Sequence, residues 1–254
     1  MSVQFEKFRS LHAAGQLLII PNAWDAKSAM ILQGQGFPAV ATSSAAVAES
    51  LGYADGEQMR FDEYLFVIRH MLNVLQVPLS VDLEMGYGRT DEEILENVKL
   101  LASMGVAGIN IEDSHIDTAG RDLKDAQAFA HTLAFIRRGL ADAGLDLFVN
   151  VRCDTYLLGV ENARQETAYR VRLYESAGAD GIFLPCIREE GDIEEAVELA
   201  ASPVNVMVWP GLPEVTRLKE LGVRRLSMGT YLFTESYGLL DTSTKPYIAA
   251  EYVN

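Results

Sequence analysis

The sequence SVDLEMGYG, at residues 80–88, decides the fold prediction. The apolar run that starts at Pro78 is typical of a buried strand, and it ends in two carboxylates, Asp82 and Glu84. Because side chains alternate along a strand, these two acids are expected to share one face. Two anions at a buried strand end are costly unless a cation or a proton lies between them. A hard divalent metal is the obvious candidate.

The same pattern recurs along the chain. The sequence GINIED, at residues 108–113, predicts a second apolar strand that ends in acids. Repeatedly, a helical pattern ends at a glycine and an apolar strand starts within a few residues, as at Gly105, Gly144 and Gly178. Glycine adopts the left-handed conformation that ends a helix at low cost. Alternating helices and strands predict parallel βαβ units.

Eight strands are predicted, which suffices to close a barrel. They are Leu17–Pro21, Ala39–Ser43, Pro78–Asp82, Gly108–Glu112, Leu147–Arg152, Gly181–Pro185, Val204–Trp209 and Arg225–Gly229. The length of 254 residues also suits an α/β fold of the (β/α)8 TIM-barrel type. The alternative, an open doubly wound sheet, is disfavoured because no G-x-G-x-x-G motif follows the first strand.

The chain is expected to form a single domain over residues 1–254, since no linker or low-complexity segment interrupts it. Residues 1–16 are predicted to hold an amphipathic helix that caps the bottom of the barrel. Residues 230–254 are predicted to form a C-terminal helix and tail. The helix is placed at Tyr231–Leu239, because the sequence DTSTKP at residues 241–246 breaks the helical pattern.

The composition disfavours two classes of binding partner, nucleic acids and membranes. The chain has 36 acidic and 21 basic residues and a formal charge of −15, which disfavours nucleic-acid binding. No apolar run approaches the ~18 residues of a membrane span, so no membrane partner is expected. Two cysteines, Cys153 and Cys186, fall in different strands and suit a reducing cytoplasm, which is the predicted location.

At the mouth of the barrel, the predicted strand ends form a ring of acidic side chains together with one arginine. Asp55 lies in the loop after the second strand, Glu112 ends the fourth, and Arg152 and Asp154 share a face of the fifth. Oxygen ligands without a histidine cluster favour Mg²⁺ or Mn²⁺ over zinc. Arg152 could hold a carboxylate bidentately. Together these groups suit a chelating 2-oxo acid.

Structural explanations compete for several of these residues. Acids at such turns often serve only as helix N-caps, and Arg152 could simply neutralise a structural acid. Asp113 should point away from Glu112, because neighbouring residues alternate. Trp24 could be ordinary packing or an aromatic wall of the pocket. His115, in the loop after the fourth strand, is more often a solvated residue than a general acid.

These motifs resemble the isocitrate lyase / phosphoenolpyruvate mutase superfamily along most of the chain. The segments that carry the resemblance are NAWDA (22–26), TSSA (42–45), SLG (50–52) with Asp55, VDLEMGYG (81–88), INIED (109–113) and VRCD (151–154). The resemblance implies a modified barrel that binds Mg²⁺ and a 2-oxo acid or its enolate. By position, it implies that Asp82 contacts the metal directly, while Asp55, Glu84 and Glu112 hold metal-bound waters.

The resemblance also implies the substrate contacts. The backbone amides around Ser43, Ser44 and Ala45 are expected to cradle the oxo-acid carboxylate, and Arg152 is expected to bind near the reacting bond. Arg152, Asp55 and Glu84 are therefore the predicted catalytic residues. Two further residues, Trp24 and Asn205, are predicted to bind substrate.

One segment departs from the superfamily pattern. True isocitrate and methylisocitrate lyases carry a K-[KR]-C-G-H loop, whereas residues 114–121 read SHIDTAGR. The expected function is therefore Mg²⁺-dependent cleavage of a C–C bond next to the oxo group of a small 2-oxo acid, through a metal-stabilised enolate. The substrate would be oxaloacetate-like, or a 2-hydroxy or 2-oxo dicarboxylate. The alternatives are a phosphonopyruvate P–C hydrolase or mutase, and an inactive oxo-acid-binding homologue.

A homo-oligomer, dimer or tetramer, is also expected. Relatives of this superfamily often swap a C-terminal helix between subunits. The short predicted helix before residue 241 fits one closing helix and does not fit a long swapped pair.

Overall fold

The computed structural model describes residues 2–251 of the chain. The strands within it are β1 (Leu18–Ile20), β2 (Asn22–Ala23), β3 (Val40–Thr42), β4 (Leu79–Asp82), β5 (Gly108–Glu112), β6 (Ser114–Asp117), β7 (Gly120–Leu123), β8 (Phe148–Arg152), β9 (Gly181–Phe183), β10 (Val204–Met207) and β11 (Arg225–Ser227). The helices are α1 (Val3–Ala13), α2 (Ala26–Gly34), α3 (Ser44–Ser50), α4 (Phe61–Val74), α5 (Asp91–Ser103), α6 (Ala126–Asp142), α7 (Ala163–Ser176), α8 (Glu190–Leu199), α9 (Val215–Glu220) and α10 (Tyr231–Glu251).

The parallel strands form a nearly closed barrel in the order β1-β11-β10-β9-β8-β5-β4-β3-β2. Each of the eight predicted strands contains an observed one, so the (β/α)8 prediction is confirmed. The strands β6 and β7 form a separate antiparallel hairpin that the sequence analysis missed. Among the described residues, no helix combines the length and the apolar character that crossing a membrane requires.

The first strand of the barrel is interrupted at Pro21, where the predicted strand ends, and β2 follows directly after it. β1 pairs with β11, whereas β2 pairs with β3, so the two halves close the barrel from opposite sides. Proline has no N–H to donate to a neighbouring strand, although its carbonyl oxygen still accepts a hydrogen bond from the Ala41 amide at 2.9 Å. The loss of one donor explains why the strand changes partners at this residue.

An apolar plug closes the barrel at the N-terminal ends of its strands. Phe5 and Phe8 of α1 pack with Leu18 and Phe148 in a core cluster separate from the main one. The Phe8 ring meets the Phe148 ring edge-on at 5.5 Å. The helix α1 lies within residues 1–16, where the sequence predicted a capping helix. Since this end is closed, ligands have access only to the opposite mouth.

The C-terminal helix is longer than predicted. The sequence analysis ended it at Leu239, but α10 spans 21 residues and continues through Pro246. The polar residues expected to break it are satisfied inside the helix, since the Thr242 and Thr244 hydroxyls donate to the carbonyls of Gly238 and Leu240. Residues 252–254 of the predicted tail lie outside the described part of the chain.

The plug provides a test of the fold. The substitution Phe8→Ala is expected to lower the free energy of unfolding by about 3–5 kcal/mol, because Phe8 is fully buried and its loss leaves a cavity. Urea denaturation followed by circular dichroism measures the change. Val3→Ala on the same helix is the control, since Val3 is 81% exposed and its truncation should change stability little. Equal effects of the two substitutions would contradict the plug.

Candidate active site

A cavity of about 130 Å³ opens at the C-terminal ends of the barrel strands. Six of the predicted site residues line it, namely Ser43, Ser44, Ala45, Asp55, Asp82 and Arg152. These residues come from four separate parts of the chain, so the barrel mouth is where they meet. The position agrees with the end of the barrel at which TIM-barrel enzymes place their active sites.

Asp82 is the carboxylate of this cavity that lacks a cationic partner. Its oxygens accept hydrogen bonds from the Ser44 hydroxyl at 2.8 Å and from the Asn110 amide group at 3.4 Å. No lysine or arginine forms an ion pair with it among the described residues, whereas Asp55, Glu112 and Asp154 all have such partners. The negative charge of Asp82 therefore remains available to a cation that enters the cavity.

Arg152 lies between two buried acids. Its Nε donates to Asp154 Oδ1 at 2.6 Å and its Nη2 to Asp154 Oδ2 at 3.2 Å, while Nη1 lies 3.0 Å from Glu112 Oε2. Glu112 and Asp154 are 1% and 0% exposed at their side chains. Burial raises the pKa of Glu112, and the neighbouring guanidinium groups act in the opposite direction. The bidentate contact fixes the plane of the Arg152 guanidinium.

Arg121 is a site residue that the sequence analysis missed. It lies on β7 of the hairpin, and its guanidinium is ion-paired with Glu112, with Asp154 at 3.5 Å and with Asp55 at 3.4 Å. The turn sequence between Asp117 and Gly120 could have indicated a hairpin. The direction of the Arg121 side chain could not have been found from the sequence, because it depends on where the hairpin packs.

Glu84 connects two loops beside the acid ring. Its carboxylate accepts hydrogen bonds from the Glu57 amide at 2.8 Å and the Tyr87 hydroxyl at 2.9 Å. The Glu57 carboxylate in turn accepts from the Tyr87 amide at 2.7 Å. All three residues have left-handed backbones, with φ of 58°, 52° and 53° for Glu57, Glu84 and Tyr87. This network holds the loop that carries Asp55, and the predicted role of Glu84 at metal-bound water stays a prediction.

Asp113 belongs to the supporting structure. Its carboxylate accepts from the Arg170 guanidinium at 2.9 Å, the Tyr174 hydroxyl at 2.7 Å and the Asp154 amide at 2.8 Å. These contacts lie toward α7, on the opposite side from the contacts of Glu112. Asp113 therefore points away from Glu112, as the alternation along the strand indicates.

Two predicted substrate-binding residues do not line the central cavity. Trp24 borders a neighbouring cavity between α2 and α10, where its ring meets Phe233 edge-on at 5.3 Å. Asn205 is fully buried inside the barrel, where it accepts a hydrogen bond from Asn150 and donates to Ser227. In this arrangement both residues contact protein groups of the wall and floor of the barrel.

The charges of the side chains at the barrel mouth indicate whether a divalent cation suits this site. In the described part of the chain, no three His, Cys, Asp or Glu side chains already converge as a metal-binding cluster. The charges still favour a cation at Asp82, because four carboxylates meet two guanidinium groups and neither guanidinium forms an ion pair with Asp82. The acids are Asp55, Asp82, Glu112 and Asp154, and the cations are Arg121 and Arg152. An all-oxygen donor set of this charge suits Mg²⁺ or Mn²⁺.

Sequence comparison identifies the family. The profile of the phosphoenolpyruvate phosphomutase family matches residues 8–246. The chain belongs to this family. The predicted resemblance to the isocitrate lyase / phosphoenolpyruvate mutase superfamily is thereby confirmed.

Three relatives place the chain within the phosphoenolpyruvate mutase family. An uncharacterized protein of Mycobacterium tuberculosis (strain H37Rv) is 36% identical over 88% of this chain and 81% of its own length. Oxaloacetate decarboxylase 1 of Pseudomonas fluorescens is 28% identical over 85% of this chain and 75% of its own. A crystal structure of a candidate phosphonomutase from Burkholderia cenocepacia superposes with a TM-score of 0.89 at 36% identity, covering 95% of this chain and 99% of that one.

The buried Glu84 predicts a pH dependence of stability. Burial, followed by the charges of Asp55, Asp82 and Glu112, raises its pKa to about 8 in the folded protein. Since the unfolded carboxyl titrates near 4.5, the folded state binds the extra proton between these values, and stability should fall as pH rises from about 5 to about 8.

Glu84→Gln should weaken this fall, because the amide stays neutral throughout. Urea denaturation of chelator-treated protein at intervals of pH measures the slope. Glu96→Gln, at an exposed glutamate of α5, should keep the wild-type slope. Identical slopes for Glu84→Gln and the wild type would contradict the assignment.

Proposed function

We propose that this protein catalyses Mg²⁺-dependent cleavage of the C–C bond next to the oxo group of a small 2-oxo dicarboxylate of the oxaloacetate type. The observation that carries the proposal is Asp82, an acid without a cationic partner in a cavity that also contains Arg152. A cation at Asp82 and a guanidinium across the cavity suit a ligand that is both a chelator and an anion. The Pseudomonas fluorescens relative, an oxaloacetate decarboxylase, supports the substrate class.

The proposed roles follow the positions of the residues. Asp82 would bind the ion directly, and Asp55, Glu84 and Glu112 would act through bound waters. The Ser44 and Ala45 amides would hold the carboxylate next to the oxo group, since the Ser43 amide already donates to the Ala23 carbonyl at 3.1 Å. When bound, Mg²⁺ supplies a Lewis-acid charge that stabilises negative charge developing on the oxo oxygen.

Arg152 would orient the group that leaves. Its guanidinium is fixed by Asp154 and Glu112 before any ligand enters, so little reorganisation is required during the reaction. A carboxylate held by this guanidinium would have its breaking bond aligned with the oxo group, which lowers the entropic cost of reaching the transition state.

The sequence of the hairpin limits which cleavage reaction the site is suited to catalyse. Its residues, 114–123, include neither lysine nor cysteine, and these are the groups of the isocitrate lyase loop. Decarboxylation would release CO2 and leave an enolate that takes up one proton at carbon, which water can supply. Because no phosphoryl group has to be kept from water, this reaction asks less of a covering loop than phosphoryl transfer does. This favours the oxaloacetate-type reaction.

Removing the metal ligand tests the proposal. Asp82→Asn should lower Mg²⁺-dependent turnover of 2-oxo dicarboxylates by about 100-fold or more, because the amide no longer supplies the charge that holds the ion. Turnover is followed on a panel of such acids, after chelator treatment and after Mg²⁺ is restored. Asp62→Asn, at a largely exposed residue of α4, is the control and should retain activity. Wild-type protein without metal-dependent turnover on the whole panel would refute the proposed reaction.

A second candidate is P–C bond cleavage or rearrangement of phosphonopyruvate. The similarity to the candidate phosphonomutase of Burkholderia cenocepacia favours it. Phosphorus NMR of protein incubated with phosphonopyruvate and Mg²⁺ distinguishes the products, inorganic phosphate or phosphoenolpyruvate. An unchanged phosphonate signal together with oxaloacetate turnover would leave the first proposal.

We also expect a homo-oligomer in the reducing cytoplasm. Apolar side chains of α10 are exposed in the single chain, among them Tyr237, Leu240 and Ile248, and a second copy would bury them. Both cysteines are free, which suits a reducing compartment. Light scattering on the full chain should give a dimer or tetramer, and a monomer at micromolar concentration would refute this expectation.

A further inference from the structure

Arg121 reaches the acid ring from the hairpin, which packs on the loop that carries Asp55. The side chains of Ile116 and Arg121 are cross-strand neighbours and face the same way. Ile116 approaches Gly56 so closely that a Cβ atom there would lie 2.3 Å from Ile116 Cδ1. Arg121 meets Asp55, the residue before this glycine, at 3.4 Å. The apolar contact and the ion pair together fix the hairpin against the mouth of the cavity.

The partners of Arg121 include the residues proposed to surround the metal ion. Its guanidinium contacts Asp55 and Glu112, while its own side chain is only 17% exposed. The Ser114 hydroxyl, at 2.9 Å, and Asp154, at 3.5 Å, complete its surroundings. A dication bound beside Asp82 with its waters on Asp55 and Glu112 would compete with this guanidinium, since both would draw on the limited lone pairs and the negative charge of the same carboxylates.

We propose that Arg121 neutralises the acid ring while the cavity is empty, and that it binds the distal carboxylate of a dicarboxylate once the waters of a divalent ion at Asp82 occupy Asp55 and Glu112. This inference rests on the proposed function for the class of ligand. A displaced guanidinium has five donors and needs a new anion, and it can meet a carboxylate in a bidentate manner. Arg121 and Arg152 both contact Glu112, so a ligand at this point lies within reach of two guanidinium groups.

We expect the substitution Arg121→Gln to change the affinities for Mg²⁺ and for L-malate in opposite directions. Arg121→Gln removes the competitor for the ion and should tighten Mg²⁺ binding to the empty protein about tenfold. The same change removes the contact with the distal carboxylate and should weaken binding of L-malate, at saturating Mg²⁺, by about tenfold. Oxalate has no distal carboxylate, so its affinity should change by less than about twofold. A purely structural role of Arg121 would move all three affinities in one direction.

Titration calorimetry on the full-length chain measures these affinities. Arg121→Lys keeps the charge but loses the planar fork, so it should bind Mg²⁺ as the wild type does and bind L-malate more weakly. Arg217→Gln removes the same charge from an exposed pair on α9 and should leave all three affinities unchanged. Thermal unfolding confirms that each variant is folded.

The affinity measurements test this inference separately from the proposed reaction. Mg²⁺ affinity that is unchanged or weaker in Arg121→Gln overturns the competition, and unchanged L-malate affinity overturns the carboxylate contact. If wild-type protein binds no L-malate in the presence of Mg²⁺, the inference is overturned as well. If the split in affinities is found but no 2-oxo acid is turned over, the inference stands and the proposed reaction fails.

Discussion

An excess of negative charge at the barrel mouth is the constraint on which the candidate site depends. Asp55, Asp82, Glu112 and Asp154 meet there, and the ion pairs of Arg121 and Arg152 engage three of these acids and leave Asp82 without one. Like charges so close together, and partly out of water, favour protonation or the entry of a cation. Burial raises the pKa of Glu84 and of Glu112, and neighbouring acids add to the effect in both.

Apolar packing in the rest of the barrel compensates for the concentration of negative charge at its mouth. Strands of a parallel barrel point all their C-terminal ends one way, and the apolar plug of Phe8 and Phe148 closes the other end. The outer faces of the strands carry apolar residues such as Val81 and Ile109, which pack beneath the helices. The stability of the apolar layers offsets the cost of gathering acids at the mouth.

Segments outside the barrel strands determine the geometry of the site. The Glu57–Glu84–Tyr87 network connects the end of β4 to the loop that bears Asp55 through two hydrogen bonds, and a third joins Tyr87 to Glu84 within the loop after β4. Three left-handed backbones in non-glycine residues cost free energy, and they persist because the contacts around them determine the geometry. The hairpin adds Arg121 from the other side, so the acids are positioned by two segments outside the barrel strands.

The sequence by itself determined the barrel, its strands and six of the residues that line the cavity, because apolar strands, helix-ending glycines and strand-end acids are local patterns. Asp82 and Arg152 could be placed because a strand alternates its side chains and ends at a known face of the barrel. The split at Pro21, the length of α10 and the position of Trp24 beside α10 depend on partners that are distant in the sequence. Tertiary structure alone decided that Glu84 faces Glu57 and Tyr87, and that Arg121 faces the acids. The reason is that a loop side chain takes its direction from the surface on which the loop packs.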